Sequence, residues 1–173
     1  MDASGLSGET REMKILKYII WAILLIYFQI LIAPKFTLLG TIPNFFLPFI
    51  VFLGIYSEFR FSIHIAFFSG LALDLVYPYL LGFNSILFVL LIYFTAKHHN
   101  SLNKDKFAIV ALSMLAINII YYFLLWFMNI LYATAIPGLF SSGLFTILYN
   151  TVISILFLYL ISFADKIKFY LNV

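Results

Sequence analysis

Residues 69–75 read SGLALDL, and the carboxylate of Asp74 closes a segment that is otherwise almost wholly apolar. What that carboxylate does depends on the solvent around the chain. Of the 173 residues, 65% are hydrophobic and only 10% charged; 21 are Phe and 12 are Tyr, and the mean hydropathy is +1.10. Water-soluble domains carry about 25% charged residues, so this chain has too little polar surface to cover itself in water. A bilayer is the matching solvent. Most of the length falls into apolar runs of the size a spanning helix needs, roughly 20 residues for a hydrocarbon core of about 30 Å. The expected fold class is all-α integral membrane, a bundle of six transmembrane helices forming one domain over residues 13–173.

The six apolar segments are 15–32, 43–56, 61–76, 80–96, 107–131 and 143–164. The second is short, starts at Pro43 and contains Pro48, so by length it could equally be re-entrant or interfacial. Charge separates the two readings. With six spans and a cytoplasmic N-terminus, Arg11, Lys14, Lys17, Arg60, Lys97, Lys104, Lys106, Lys166 and Lys168 fall inside and only Lys35 outside. This nine-to-one split is what the positive-inside rule expects, whereas dropping the second span reduces it to seven to three. Both termini are then expected in the cytoplasm, with short connections and no extramembrane domain.

Residues 1–12, MDASGLSGETRE, are polar and rich in Gly and Ser, and Met13 opens the apolar run as a natural start would. They read as a disordered tail or a cloning scar. The net charge of +3 comes from basic residues at the ends of apolar runs, not from a basic stripe with interleaved aromatics, so nucleic acid is not an expected partner. The absence of cysteine excludes disulfides, thiolate catalysis and Cys-based metal sites. Tyr18, Tyr77, Tyr79 and Tyr132 lie near segment ends, where an amphipathic ring anchors at headgroup depth.

Six of the seven acidic residues lie in the termini or in cytoplasmic connections; Asp74 is the exception, in the last turn of the third segment. There it sits at the unfavourable end of its own helix dipole, so a local partner is expected. Three roles are open to it: a hydrated group reaching the interface, a hydrogen-bond acceptor fixing the turn at 78–82, or a proton- or substrate-coupling group. Ala66 and Gly70 lie four residues apart on one face and permit close helix approach, with Ser69 beside them. Pro43 and Asn44 open the second segment, and Asn84 follows Gly82 near the start of the fourth. Asn118, Asn129 and Asn150 add amides that either hold helices together or line a small-ligand pocket. His98 and His99 are adjacent and diverge on a helix, and His64 stands alone, so no metal pair or catalytic triad is recognisable. No enzymatic activity, cofactor or metal is expected.

Residues 43–97 taken together resemble the rod shape-determining protein MreD family of bacteria. In that family a Pro-Asn or Pro-Asp opens a span, a Gly-Phe-x-x-Gly-Leu-x-x-Asp run closes the next, and a Leu-Gly pair starts the one after. Here Pro43 and Asn44 match the first element, Phe67, Gly70, Leu71 and Asp74 the second, and Leu81 and Gly82 the third. Ala66 stands where the family often has Gly. The resemblance implies a non-enzymatic inner-membrane scaffold of the lateral wall-elongation machinery. Its implied partners are an MreC-like single-span protein, the RodA glycosyltransferase, a class B penicillin-binding transpeptidase and the MreB filament. It also implies a fold similar to the substrate-binding subunits of energy-coupling-factor vitamin transporters. A substrate-capture subunit of such a transporter is therefore the second functional expectation. The packing or partner-contact residues singled out are Pro43, Asn44, Ala66, Phe67, Gly70, Leu71, Asp74, Gly82 and Asn84.

Overall fold

The computed structural model describes residues 3–76, 81–97, 107–131 and 143–170. Tyr77, Pro78, Tyr79, Tyr132, His98, His99, Lys104 and Lys106 lie outside them, as do most of the expected outer loops and the side chain of Asn129. Among the described residues the chain forms six α-helices and no strand: α1 Ala3–Tyr27, α2 Phe46–Tyr56, α3 Phe59–Val76, α4 Phe83–Lys97, α5 Phe107–Leu131 and α6 Gly143–Tyr170. Because α1 runs from Ala3, the polar stretch before Met13 shares its helical backbone, where the sequence reads as a tail.

α1 does not stop at Tyr27. It loosens into a π-turn at Phe28–Ile32 and tightens into a 3-10 turn at Ala33–Phe36. Pro34 accounts for the change, since its ring lacks an N–H and clashes with the carbonyl four residues back. A two-residue reverse turn follows, with Leu38 and Thr41 exchanging both backbone hydrogen bonds at 3.1 and 2.8 Å. Leu39 and Gly40 take φ values of 48° and 79° there, the left-handed pair that such a turn demands.

Four segments are long and apolar enough to cross a membrane: Met13–Phe36, Phe59–Val76, Ile109–Met128 and Gly143–Ala164. α2 and α4 are shorter, with 11 and 15 residues. At 1.5 Å per residue they extend only about 16 and 22 Å, less than the hydrocarbon core. Six helices are thus found where six were expected, four of them of spanning length, and α2, the segment that reads as short, has a distinct place. Every residue from Phe46 to Gly54 is buried, so α2 is the core of the bundle and the other helices sheathe it. A helix apolar on all sides suits such a place as well as it suits lipid.

Aromatic rings make much of the sheath. Tyr18 and Trp21 of α1 meet Phe52 at centroid distances of 6.0 and 6.2 Å, and Phe46 stacks on Phe88 of α4 at 6.0 Å. Phe45, just before α2, sits between Phe28 and Phe157 at 4.9 and 5.1 Å. Outside, the large exposed residues are apolar, among them Leu24, Phe68, Ile86, Phe123 and Leu148. Much of the outward surface is hydrocarbon, while Ser69, Asp74, Asn84, Asn118 and Asn150 are buried within.

With lipid as apolar as a helix face, bundles gain stability from close packing between helices and from interhelical hydrogen bonds. Gly54 supplies one close approach: a Cβ there would fall on Oγ1 of Thr95 in α4 and within 2.8 Å of its Cβ. Gly54→Ala is expected to cost about 1–3 kcal/mol by overpacking, read as a lowered Tm in detergent. Thr95→Ala in the same chain should restore part of it, because the obstructing atoms belong to a side chain.

Candidate functional site

The site grows from the start of α4. The first N–H groups of any helix lack intrahelical partners, and in lipid no water is there to take them. A Ser, Thr, Asp or Asn at the N-cap normally accepts from them, but this position is Gly82, whose carbonyl receives the first helical bond from Ile86. Gly82 has no side chain, and its φ of 90° suits glycine alone.

Asp74, eight residues earlier in α3, takes over the task. One carboxylate oxygen, Oδ2, accepts from the backbone N–H of Gly82 (3.0 Å), the N–H of Ser85 (3.1 Å) and the Ser85 hydroxyl (2.9 Å). The other, Oδ1, accepts from the Asn84 N–H (3.0 Å) and its side-chain amide (2.9 Å). Asp74 is 0% exposed, so it is not a hydrated group at the interface. The hydrogen-bonding role is the one realised, with the acceptor aimed at the next helix. The positive end of the α4 dipole offsets the unfavourable end of α3. The Tyr121 hydroxyl donates to Asn84 Oδ1 at 3.0 Å and extends the cluster to α5.

Gly70 makes this reach possible. A Cβ on Gly70 would lie 2.5 Å from the Ser85 Cα and N, backbone atoms that cannot swing aside. Ala66, one turn earlier, is also 0% exposed. The small-residue face therefore packs inside the chain, against the helix that Asp74 caps.

A second polar junction opens α2. Asn44 Oδ1 accepts from the N–H of Phe46 (3.0 Å) and, at 3.4 Å, from that of Leu47, while its own N–H donates to Asn150 Oδ1 of α6 (2.7 Å). Gln29, in the π-turn, donates to the Pro43 carbonyl and accepts from the Phe45 N–H, both at 2.9 Å. The Thr41 and Thr146 hydroxyls share a 2.7 Å bond, and the Tyr149 hydroxyl donates to the Phe36 carbonyl at 2.7 Å.

The residues singled out in the sequence thus fall into two groups. Ala66, Gly70, Asp74, Gly82 and Asn84 gather at the α3–α4 junction, and Pro43 and Asn44 at the α2 entrance. Leu71 is half-buried, and Phe67, 44% exposed, points outward from the same helix. Sequence reasoning missed Gln29, Ser85, Tyr121 and the threonine pair. Gln29 had a signal, as an amide inside the apolar run YFQIL; the others look ordinary until their partners are known. Asn118 and Ser154 join α5 to α6 through a 3.4 Å bond, leaving Asn118 Oδ1 buried without a donor. His64 lies exposed on α3, its Nδ1 bonded to the Arg60 carbonyl. Among the described residues no three metal-ligating side chains gather. Chemically, the carboxylate is surrounded by five donors, an arrangement suited to holding two helix ends together.

An all-helical bundle, apolar outside and polar-paired within, with four helices long enough to cross a bilayer, is a multi-pass membrane protein. The rod shape-determining protein MreD family matches residues 12–166, and the chain belongs to that family. Its role is accordingly in rod-shape determination, and members of the family work in the shape-determining complex of the membrane. No curated protein and no solved structure gave a match.

Replacing Asp74 tests the clamp directly. Asp74→Leu leaves buried N–H groups without acceptors and is expected to cost about 3–5 kcal/mol, as loss of one partner in a buried charged cluster does. Asp74→Asn keeps one acceptor oxygen but turns an NH2 toward donors, for an intermediate loss of about 1–3 kcal/mol. Thermal unfolding in detergent reads both. Gly70→Ala should also lower Tm, and truncating the Ser85 side chain should not relieve it, because the clash is with backbone.

Proposed function

We propose that this chain is a non-catalytic scaffold of the inner membrane's lateral wall-elongation machinery, holding an MreC-like single-span protein. It would act beside the RodA glycosyltransferase, a class B penicillin-binding transpeptidase and the MreB filament. Membership in the rod shape-determining family supports this reading. The observation that carries it is the use of the polar residues: Asp74, Asn84, Asn44 and Asn150 all bind groups of this same chain. Such a body keeps a fixed shape and offers apolar faces to partners within the bilayer. Phe67, Phe68, Ile86, Leu90 and Phe94, exposed on α3 and α4, form one such face.

The topology belongs to the same proposal. In it the chain changes sides of the bilayer at each of the six helices, the short α2 and α4 completing the crossing with the residues that flank them, and both termini are cytoplasmic. The nine-to-one distribution of basic residues supports it. Residues 13–173 form the single domain, and the bundle is of the kind seen in energy-coupling-factor substrate-binding subunits. A substrate-capture role has less to build on, because Asp74, Asn84, Asn44 and Asn150 are engaged with groups of this same chain.

Affinity purification of the tagged protein from native membranes, followed by mass spectrometry, is the test. An MreC-like single-span protein should be recovered, and Asp74→Ala should lower protein level or partner recovery severalfold. Unchanged level and recovery in that variant would overturn the scaffold role of the α3–α4 junction. Recovery of two ATPases with a coupling membrane subunit would replace the whole reading by the transporter one.

A further inference from the structure

Between α1 and α6, over the flank of α2, runs an open groove of about 340 Å³. Trp21, Leu24, Phe28, Phe49, Phe157 and Ala164 are among its lining residues, all of them apolar. The two helices run antiparallel along it. Tyr149 bonds to Phe36 near one end, eight residues further along each helix Phe157 and Phe28 flank Phe45, and Ala164 and Trp21 follow. The Trp21 end of the groove is therefore the one toward the N-terminus of α1 and the C-terminus of α6.

That end is basic. Lys17 holds its Nζ 4.8 Å from the centroid of the Trp21 ring, at the mouth of the groove, and Lys14 is exposed one turn before it. Clusters of this kind attract anionic headgroups at a bilayer surface. The groove has the wrong character for a partner's helix. Helices in lipid associate through small residues, and here the walls are Leu, Ile, Phe and Trp, with Ala164 the one small residue. A helix about 10–12 Å across would lie on such a groove, whereas a hydrocarbon chain fits into it.

We infer that the α1–α6 groove is a lipid site that takes an acyl chain of an anionic glycerophospholipid, with the phosphate held at Lys14 and Lys17. The lipid would complete the wall between two helices that α2 otherwise leaves uncovered. It would also tie the protein to anionic regions of the leaflet, independently of which protein partner it holds.

The test uses Trp21 as its own reporter. The chain has two tryptophans, so Trp126→Phe leaves Trp21 as the sole indole. This protein is placed in phosphatidylcholine liposomes containing a small fraction of either brominated phosphatidylglycerol or brominated phosphatidylcholine. Quenching by the anionic lipid should exceed its share of the bilayer, with an enrichment of about fivefold or more over the zwitterionic one. Lys14→Gln with Lys17→Gln, each sample normalised to its unquenched emission, should bring the two lipids to parity. Ala164→Phe, which fills the groove, should weaken quenching by both. Equal quenching by the two lipids in the parent protein overturns the inference. So does an anionic preference that survives the lysine replacements, or a Trp21 that neither lipid quenches.

Discussion

The bundle depends on one constraint: a helix whose first turn is buried must find acceptors for its first N–H groups within the protein. α4 meets it with the Asp74 carboxylate, 0% exposed and taking five hydrogen bonds from Gly82, Asn84 and Ser85. The other features of this region follow from that contact. Gly70 is needed because α3 must come against the backbone of Ser85. Gly82 turns the chain through a left-handed conformation so that the capped groups face back toward α3. A buried carboxylate alone would be costly, by several kcal/mol. Charge-assisted bonds and the α4 dipole offset that cost together.

The entrance to α2 solves the same problem with neutral groups. Asn44 caps its own helix, Gln29 secures the residues on either side, and Asn150 joins them to α6. Both short helices are thus started by side chains, and in each case a neighbouring helix contributes. Polar residues in the middle of a membrane protein often mark a pathway for ions or substrates. Here Asp74, Asn84, Asn44 and Asn150 hydrogen-bond to groups on neighbouring segments of the chain. A protein that builds in this way gains a rigid form and an apolar exterior, properties fitting a family whose role is to determine shape.

Much of this was legible in the sequence. Composition and run length alone place the chain in a bilayer, because hydropathy is a property each residue carries independently of its neighbours. The positions of the helices follow for the same reason, and Asp74 stands out as the single acid away from the termini and the connections between apolar runs. The motif residues of the α3–α4 region also announce that a carboxylate, a small-residue face and a turn belong together.

Tertiary structure decided how they belong together. The segment from Pro43 to Tyr56 reads as a short and doubtful span, yet it holds the central helix, since burial on all sides depends on what packs around it. Nothing local tells that Ser85 and Tyr121 serve the Asp74 cluster, or that Gln29 serves Asn44's helix, because hydrogen-bond partners 11 to 37 residues apart are chosen by packing. The groove between α1 and α6 likewise exists only once two distant helices lie antiparallel on α2. A sequence lists the donors, acceptors and apolar faces; which of them meet is fixed by the close approaches that glycines at 54 and 70 allow.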